Sequence, residues 1–275
     1  MDRITTSGLH MPKLGLGTWP MSGSGCTDAV LRALAIGYRH IDTAQMYGNE
    51  AEIGAALAQT DVKRADIHVT TKVSREFLAP DAMRRVAEES LRKLRLDYVD
   101  LYLIHWPAAG MDVQRAMESL MRLQAGGLAK HIGVSNFPVA LMRRCIEEAR
   151  APIVCNQVEY HVMLDQTKVL AYARAHGIAV TAYCPLARGN LGEVEALARI
   201  ARKHGATPAQ IALKWLLDQD GVAAIPKASR AANQQENWDA QKIVLDGEDR
   251  AAIAALPKSR RIVNPAAGPK WDEAA

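Results

Sequence analysis

Residues 67–106 read I-H-V-T-T-K-V-S-R-E-F-L-A-P-D-A-M-R-R-V-A-E-E-S-L-R-K-L-R-L-D-Y-V-D-L-Y-L-I-H-W. An apolar, β-branched run from Ile67 to Val73 gives way to a segment of helical period, and a second such run spans Tyr98 to Trp106. In the middle segment Met83, Val86, Ser90, Leu91 and Leu94 mark one face against arginines and glutamates, and Pro80-Asp81 supplies a helix start. Strand, helix and strand in this order make one βαβ unit, so the fold depends on how often the unit recurs.

It recurs along the whole chain. Strand-like runs also begin at Leu14 (L-G-L-G-T), Tyr38 (Y-R-H-I-D), His131 (H-I-G-V-S-N), Ile153 (I-V-C-N-Q-V-E-Y), Ile178 (I-A-V-T-A-Y) and Val222 (V-A-A-I-P-K), which brings the total to eight. Gly37, Gly127 and Gly177 stand where helices should end, each just before a strand, and Asn136-Phe137-Pro138 and Thr207-Pro208 mark further helix starts. Eight strands alternating with helices, at a repeat of roughly 30 residues, suit an open doubly wound sheet or a closed (β/α)8 TIM barrel, and the count favours closure. The turn after the first strand, G-L-G-T-W-P, lacks the third glycine of a dinucleotide-binding G-x-G-x-x-G. The expectation is a single barrel domain over residues 1–275, with I-T-T-S-G-L-H-M-P as an N-terminal β-hairpin and A-T-P-A-Q-I-A-L-K-W-L-L as an extra helix before the last strand.

Composition narrows the function. With 49% hydrophobic and 23% charged residues in a chain of 275, a large core can be buried. The formal charge of +4 comes from 34 basic and 30 acidic residues that are interspersed, so no nucleic-acid face is indicated. The four cysteines, Cys26, Cys145, Cys155 and Cys184, have no metal-ligand spacing and read as reduced thiols. No signal core opens the chain, and no apolar run approaches the roughly 18 residues of a membrane helix, so a cytoplasmic protein is expected.

In a barrel the chemistry lies at the C-terminal ends of the strands. Here the runs end in Thr18-Trp19, Asp42, Lys72, His105-Trp106, Ser135-Asn136, Gln157 with Glu159, Tyr183 and Lys227. Asp42, Lys72 and His105 are ionisable groups on neighbouring strands, and the loop after Asp42 adds Tyr47, with Asn49-Glu50 opening the next helix. Alone, Asp42 and Lys72 have a plain buried salt bridge as their second reading, since either charge by itself would be costly to bury. Beside a lysine cation, Tyr47 should have its pKa lowered from about 10 and so become able to donate a proton near neutral pH. His105 alone reads first as a core histidine.

At this level of detail the sequence resembles the aldo-keto reductases, and within them the bacterial branch of 2,5-diketogluconate reductases and related aldehyde reductases. The matching stretches are L-G-L-G-T-W, G-Y-R-H-I-D-T-A-Q-M-Y-G-N-E, V-T-T-K-V, L-R-L-D-Y-V-D-L-Y-L-I-H-W-P, I-G-V-S-N-F, N-Q-V-E-Y and I-P-K-A-S-R, in order along nearly the whole chain. The resemblance implies NADPH-dependent reduction of aldehydes and small ketones, 2-oxoaldehydes or diketo sugar acids among them, with Asp42, Tyr47, Lys72 and His105 as catalytic tetrad. It implies Ser135, Asn136 and Gln157 around the nicotinamide carboxamide, Tyr183 against the ring, and Gly17, Thr18 and Asp42 beside it. Leu186 and the loop after it match the segment over the pyrophosphate. Lys227, Ser229, Arg230 and Asn237 match the 2′-phosphate and adenine site, where Asn233 replaces the arginine of many relatives, so that NADH should be tolerated beside NADPH.

Trp19, Met46, Tyr47, His105, Trp106 and Trp271 are the expected substrate-pocket residues, Trp271 through a C-terminal tail folded over the mouth. Only P-A-A-G-M separates Trp106 from the next helix, which predicts an open pocket. The expected partner is a small carbonyl substrate alone, with no metal, nucleic acid or membrane, and a monomer is expected. Two rival readings are a cofactor-binding regulatory protein of the same fold and a Schiff-base enzyme using Lys72, the latter disfavoured because Asp42 should keep the lysine charged.

Overall fold

Three backbone hydrogen bonds decide between the open sheet and the closed one: Gly15 N–H to Ala224 O at 2.9 Å, Gly17 N–H to Pro226 O at 3.1 Å, and Ala224 N–H to Lys13 O at 2.7 Å. They join the first parallel strand to the last, so the sheet has no free edge. The structure is a computed structural model that describes residues 2–191 and 194–272. Its parallel strands are β3 (Leu16–Gly17), β4 (His40–Asp42), β5 (His68–Val73), β6 (Val99–Ile104), β7 (Ala129–Ser135), β8 (Ile153–Glu159), β9 (Ala179–Tyr183) and β10 (Val222–Ala224), each paired with its neighbours in sequence. All eight strands lie where the sequence runs place them.

Helices α1 (Gly23–Ile36), α2 (Glu50–Gln59), α3 (Pro80–Leu94), α4 (Val113–Ala125), α5 (Val139–Arg143) and α6 (Thr167–Ala175) make the crossovers between successive strands up to β9. Between β9 and β10 there are two, α7 (Glu195–His204) and α8 (Pro208–Leu217), and α9 (Ala231–Asp239) and α10 (Gly247–Ala254) follow the barrel. In α3 the expected face is the buried one: Met83, Val86, Ala87, Ser90, Leu91 and Leu94. Thr207 opens α8 with a capping box, its hydroxyl accepting from Gln210 N–H while the Gln210 side chain accepts from Thr207 N–H. No described helix is long and apolar enough to cross a membrane.

The hairpin explains why only one end of the barrel is open. β1 (Arg3–Thr6) and β2 (Leu9–Pro12) pair antiparallel around a turn at Ser7-Gly8, both with positive φ. Ile4, Leu9 and Met11 bury themselves with Leu101, Leu103, Val154, Cys155, Ala179 and Ala223 of the barrel interior. Burial of such side chains is worth roughly 1.5–3 kcal/mol each, which pins the hairpin as a plug under the N-terminal end of the strands. The polar residues gathered at the C-terminal ends therefore face the remaining mouth.

Closure also explains Gly17, expected above beside a cofactor. A Cβ on Gly17 would lie 2.5 Å from the backbone oxygen of Ile225, at the seam where β3 meets the chain after β10. The position needs glycine for strand approach, whatever else passes it. Gly17→Ala should cost about 1–3 kcal/mol in urea unfolding; a variant as stable as the parent would show that the seam is looser than the geometry states.

Candidate active site

The ammonium of Lys72, at the end of β5, is completely buried and spends all three protons. Nζ donates to Asp42 Oδ1 at 2.6 Å, to the backbone oxygen of Thr43 at 2.7 Å and, at the limit of a hydrogen bond, to Tyr47 Oη at 3.5 Å. Parallel pairing of β4 with β5 puts Asp42 opposite Thr70, two residues before Lys72, so both side chains reach the same end of the barrel. The other carboxylate oxygen of Asp42 accepts from Gln157 Nε2 on β8 at 2.7 Å, across the barrel. Burial alone would pull the Lys72 pKa down, but Asp42 and then Tyr47 outweigh it and hold it above the usual 10.5. A lysine held charged, with no free proton position, is unsuited to forming a Schiff base.

Tyr47 comes from a single 3₁₀ turn, Gln45–Tyr47, that ends on Gly48 in the left-handed region (φ 69°). The turn is tied down by Asn49, whose side chain does not cap α2 as its position before Glu50 suggests. Its Oδ1 instead accepts from the Thr43 hydroxyl, and its Nδ2 donates to the backbone oxygens of Thr18 and Met21. One buried amide thus holds together the loops that carry Trp19 and Tyr47. The Tyr47 ring stands edge-on to His105, 5.5 Å between centroids, and the Lys72 ammonium lies 5.0 Å from the Tyr47 ring centroid.

The direction of the Tyr47 pKa corrects the expectation. Burial raises it from 10, and the Lys72 cation, acting the other way, does not overcome burial. Tyr47 therefore keeps its proton at neutral pH. His105 is held well below the usual 6.5, by burial first and by the Lys72 charge second, so its imidazole is neutral. Its Nδ1 is buried without a partner.

A cavity of about 890 Å³ opens over these groups. Its wall includes Gly17, Thr18, Asp42, Asn136, Gln157, Tyr183, Leu186, Lys227, Arg230 and Asn237 of the expected cofactor residues, and Trp19, Met46, Tyr47, His105 and Trp106 of the expected substrate residues. Lys72 lies behind Tyr47, off the wall. Ser135 and Ser229 are also off it: Ser135 donates its hydroxyl to Gln157 O at 2.9 Å, and Ser229 accepts from Lys227 Nζ at 3.2 Å. Asn136, at φ 64°, donates to His105 O and to Ser135 Oγ and accepts from the Tyr183 hydroxyl at 2.7 Å. Lys72, Asp42, Gln157, Ser135, Asn136, Tyr183 and the His105 backbone thus form one connected network across the C-terminal ends of six strands, β4 to β9.

Trp271 is not on the wall either; it packs edge-on behind Trp106, 6.0 Å between centroids, under the Arg261 guanidinium. The tail does reach the cavity, through Val263. The mouth is open, with Trp19 50% and Met46 59% exposed. Sequence reasoning passed over Cys184, Arg188 and Val263, all on the wall. Arg188 has a signal in hindsight: it is a cation in the turn after Leu186, and its guanidinium lies 5.5 Å from the Trp19 ring centroid.

The chain is similar to known proteins along nearly its whole length. Residues 13–258 match the sequence model of the Aldo/keto reductase family. The chain is 43% identical to methylglyoxal reductase DkgB of Escherichia coli O157:H7 over 268 residues, covering 96% of this chain and 100% of that one. It is 39% identical to methylglyoxal reductase DkgA of Escherichia coli K12, over 92% of each chain. Among solved structures, a crystal structure provisionally identified as a 2,5-diketo-D-gluconic acid reductase B superposes with a TM-score of 0.96 at 41% identity, over 99% of this chain and 98% of that one.

The Tyr47 phenol gives a direct check on the site's electrostatics. In an ultraviolet difference titration of the parent protein against Tyr47→Phe, without added cofactor, the ionisation belonging to Tyr47 should fall above the usual 10. A phenolate forming near neutral pH would mean that Lys72 outweighs burial.

Proposed function

The chain belongs to the aldo/keto reductase family and reduces carbonyl compounds, and from that premise we propose that residues 1–275 act as one domain that uses NADPH to reduce aldehydes, 2-oxoaldehydes and small ketones, with Tyr47 as proton donor. The observation that carries the reading is the buried Asp42–Lys72 pair set directly behind a protonated Tyr47 on a cavity wall.

The donor set along the cavity suits a nicotinamide dinucleotide. At the barrel axis two side-chain amides, Asn136 and Gln157, stand beside the Tyr183 ring; at the far end Lys227 and Arg230 are exposed cations at the start of α9, with Asn237 buried behind them. Cations at a helix start, next to its free N–H groups, are what a phosphate needs. A cavity of about 890 Å³ also exceeds what one small carbonyl compound would fill. The bound cofactor would supply the hydride to the carbonyl carbon.

The residues of this chain do the rest. Neutral His105 and the Tyr47 hydroxyl, edge-on to one another, orient the carbonyl oxygen. As negative charge builds on that oxygen, the Tyr47 O–H proton moves to it and the phenolate left behind is stabilised by the Lys72 cation, which Asp42 fixes in place. In a site with little water such preorganised charge is worth several kcal/mol. Because burial resists the phenolate, the proton leaves only when the substrate oxygen demands it, and Tyr47 is protonated again from solvent through the open mouth.

Two features support the finer parts of the reading. The relatives named for methylglyoxal, a 2-oxoaldehyde, point to small dicarbonyl substrates. At the cationic end Asn233 accepts from Arg230 Nη2 at 3.4 Å, standing where many relatives carry a further arginine. One cation fewer lowers the advantage of a 2′-phosphate, so NADH is accepted as well. A panel of aldehydes, 2-oxoaldehydes and keto sugars, assayed with NADPH and NADH side by side, should show methylglyoxal turnover with both cofactors and a kcat/KM higher with NADPH. Absence of carbonyl-dependent cofactor oxidation across the panel would contradict the reading, and tight NADPH binding without turnover would favour a regulatory protein instead.

A further inference from the structure

Glu159 ends β8 opposite Tyr183 in the strand register, and its carboxylate is wholly buried although no step of carbonyl reduction uses it. Its oxygens accept backbone N–H groups from two consecutive residues of the C-terminal tail, Ile262 to Oε1 and Val263 to Oε2, each at 2.7 Å. Oε1 also faces His161 Nε2 at 3.1 Å. A buried carboxylate is costly unless its lone pairs are filled, and here the tail fills them.

From that anchor the tail runs around the mouth. Upstream, Arg260 N–H donates to Met163 O at 2.9 Å. Val263 enters the cavity wall, and Arg261, just before the two anchored amides, sets its guanidinium 3.9 Å from the centroid of the Trp271 ring. Trp271 in turn backs Trp106, a second part of the wall, and Asp272 accepts from Val139 N–H at 3.0 Å at the start of α5. Two pieces of the mouth, Val263 and Trp106, are therefore placed by a segment that Glu159 anchors from inside the barrel, between the outer ties at Arg260 and Asp272.

We propose that Glu159 is a positioning residue that sets which carbonyl compounds the cavity accepts, by holding residues 261–263 so that Val263 and Trp106 form a fixed wall. The proposal rests on the reading of the site as a carbonyl reductase. Aromatic aldehydes, long enough to lean on that wall, depend on the anchor; small 2-oxoaldehydes, held at Tyr47 and His105, depend on it less.

The test is Glu159→Gln in the full chain, which removes the charge and keeps the shape. Hydrogen exchange in a peptide spanning residues 260–264 should speed up by about tenfold, as expected when hydrogen bonds to a charged acceptor are weakened. The KM for nitrobenzaldehyde should rise by about tenfold with kcat within about twofold, and the KM for methylglyoxal should move less. Unchanged exchange, or faster exchange with no separation between the two aldehydes, overturns the proposal. If Glu159→Gln does not fold, Trp271→Ala, which leaves the anchor intact and removes the support of Trp106, should raise the nitrobenzaldehyde KM in the same way, and an unchanged KM overturns it. Exchange is read without substrate, so a parent protein that reduces no aldehyde defeats the functional reading, whereas unaltered exchange defeats only the anchor.

Discussion

The ion pair between Lys72 and Asp42 is the constraint around which the site is arranged. Both charges are out of reach of solvent, at 2.6 Å, and neither would be tolerated without the other. Keeping them there requires that β4 and β5 be adjacent and in register, that Thr43 turn its carbonyl to the ammonium, and that Gln157 hold the second carboxylate oxygen from across the barrel. Those demands can be met together only if the sheet closes. The seam at Gly17 and the hairpin plug are thus part of the same account as the proposed chemistry, because they make the one open end the end where the pair sits.

The architecture was legible from periodicity, since strands and helices alternate along the chain and several turns carry helix stop or start residues, such as Gly37, Gly127, Gly177, Pro80 and Thr207-Pro208. The four polar groups at Asp42, Tyr47, Lys72 and His105 were legible because a barrel sends its strand ends to one place. Less legible was anything decided by a balance. From the sequence, a lysine beside a tyrosine lowers the tyrosine pKa; in the fold, the burial that brings them together also penalises the phenolate, and burial is the larger effect. Asn49 reads as a helix cap by position, yet its side chain is drawn inward by two carbonyls from a loop distant in sequence and by the hydroxyl of Thr43 in its own loop. Ser135 and Ser229 lie at the right places along the chain but spend themselves on neighbouring protein groups, a matter of rotamer that spacing cannot reveal.

The two ends of the cavity are built differently. Toward α9 the wall is made of exposed cations and amides on a helix start, suited to a ligand whose charge is recognised. Toward the mouth it is made of aromatic side chains and a tail, one of whose anchors is a buried carboxylate that the sequence shows only as the glutamate of N-Q-V-E-Y. Selectivity at that end is a property of how firmly a terminal segment is held, so substitutions far from the reacting atoms can change it. The end at Tyr47, in contrast, tolerates little movement, because every donor of Lys72 is already committed.

The most direct test of the central claim, that the buried pair serves a proton held on Tyr47, is the single-turnover rate of methylglyoxal reduction by Tyr47→Phe with NADPH bound, read beside the NADPH dissociation constant. The account predicts a rate lower by about 10² to 10⁴, the usual worth of a positioned proton donor, with cofactor affinity little changed. A rate equal to that of the parent protein would contradict it.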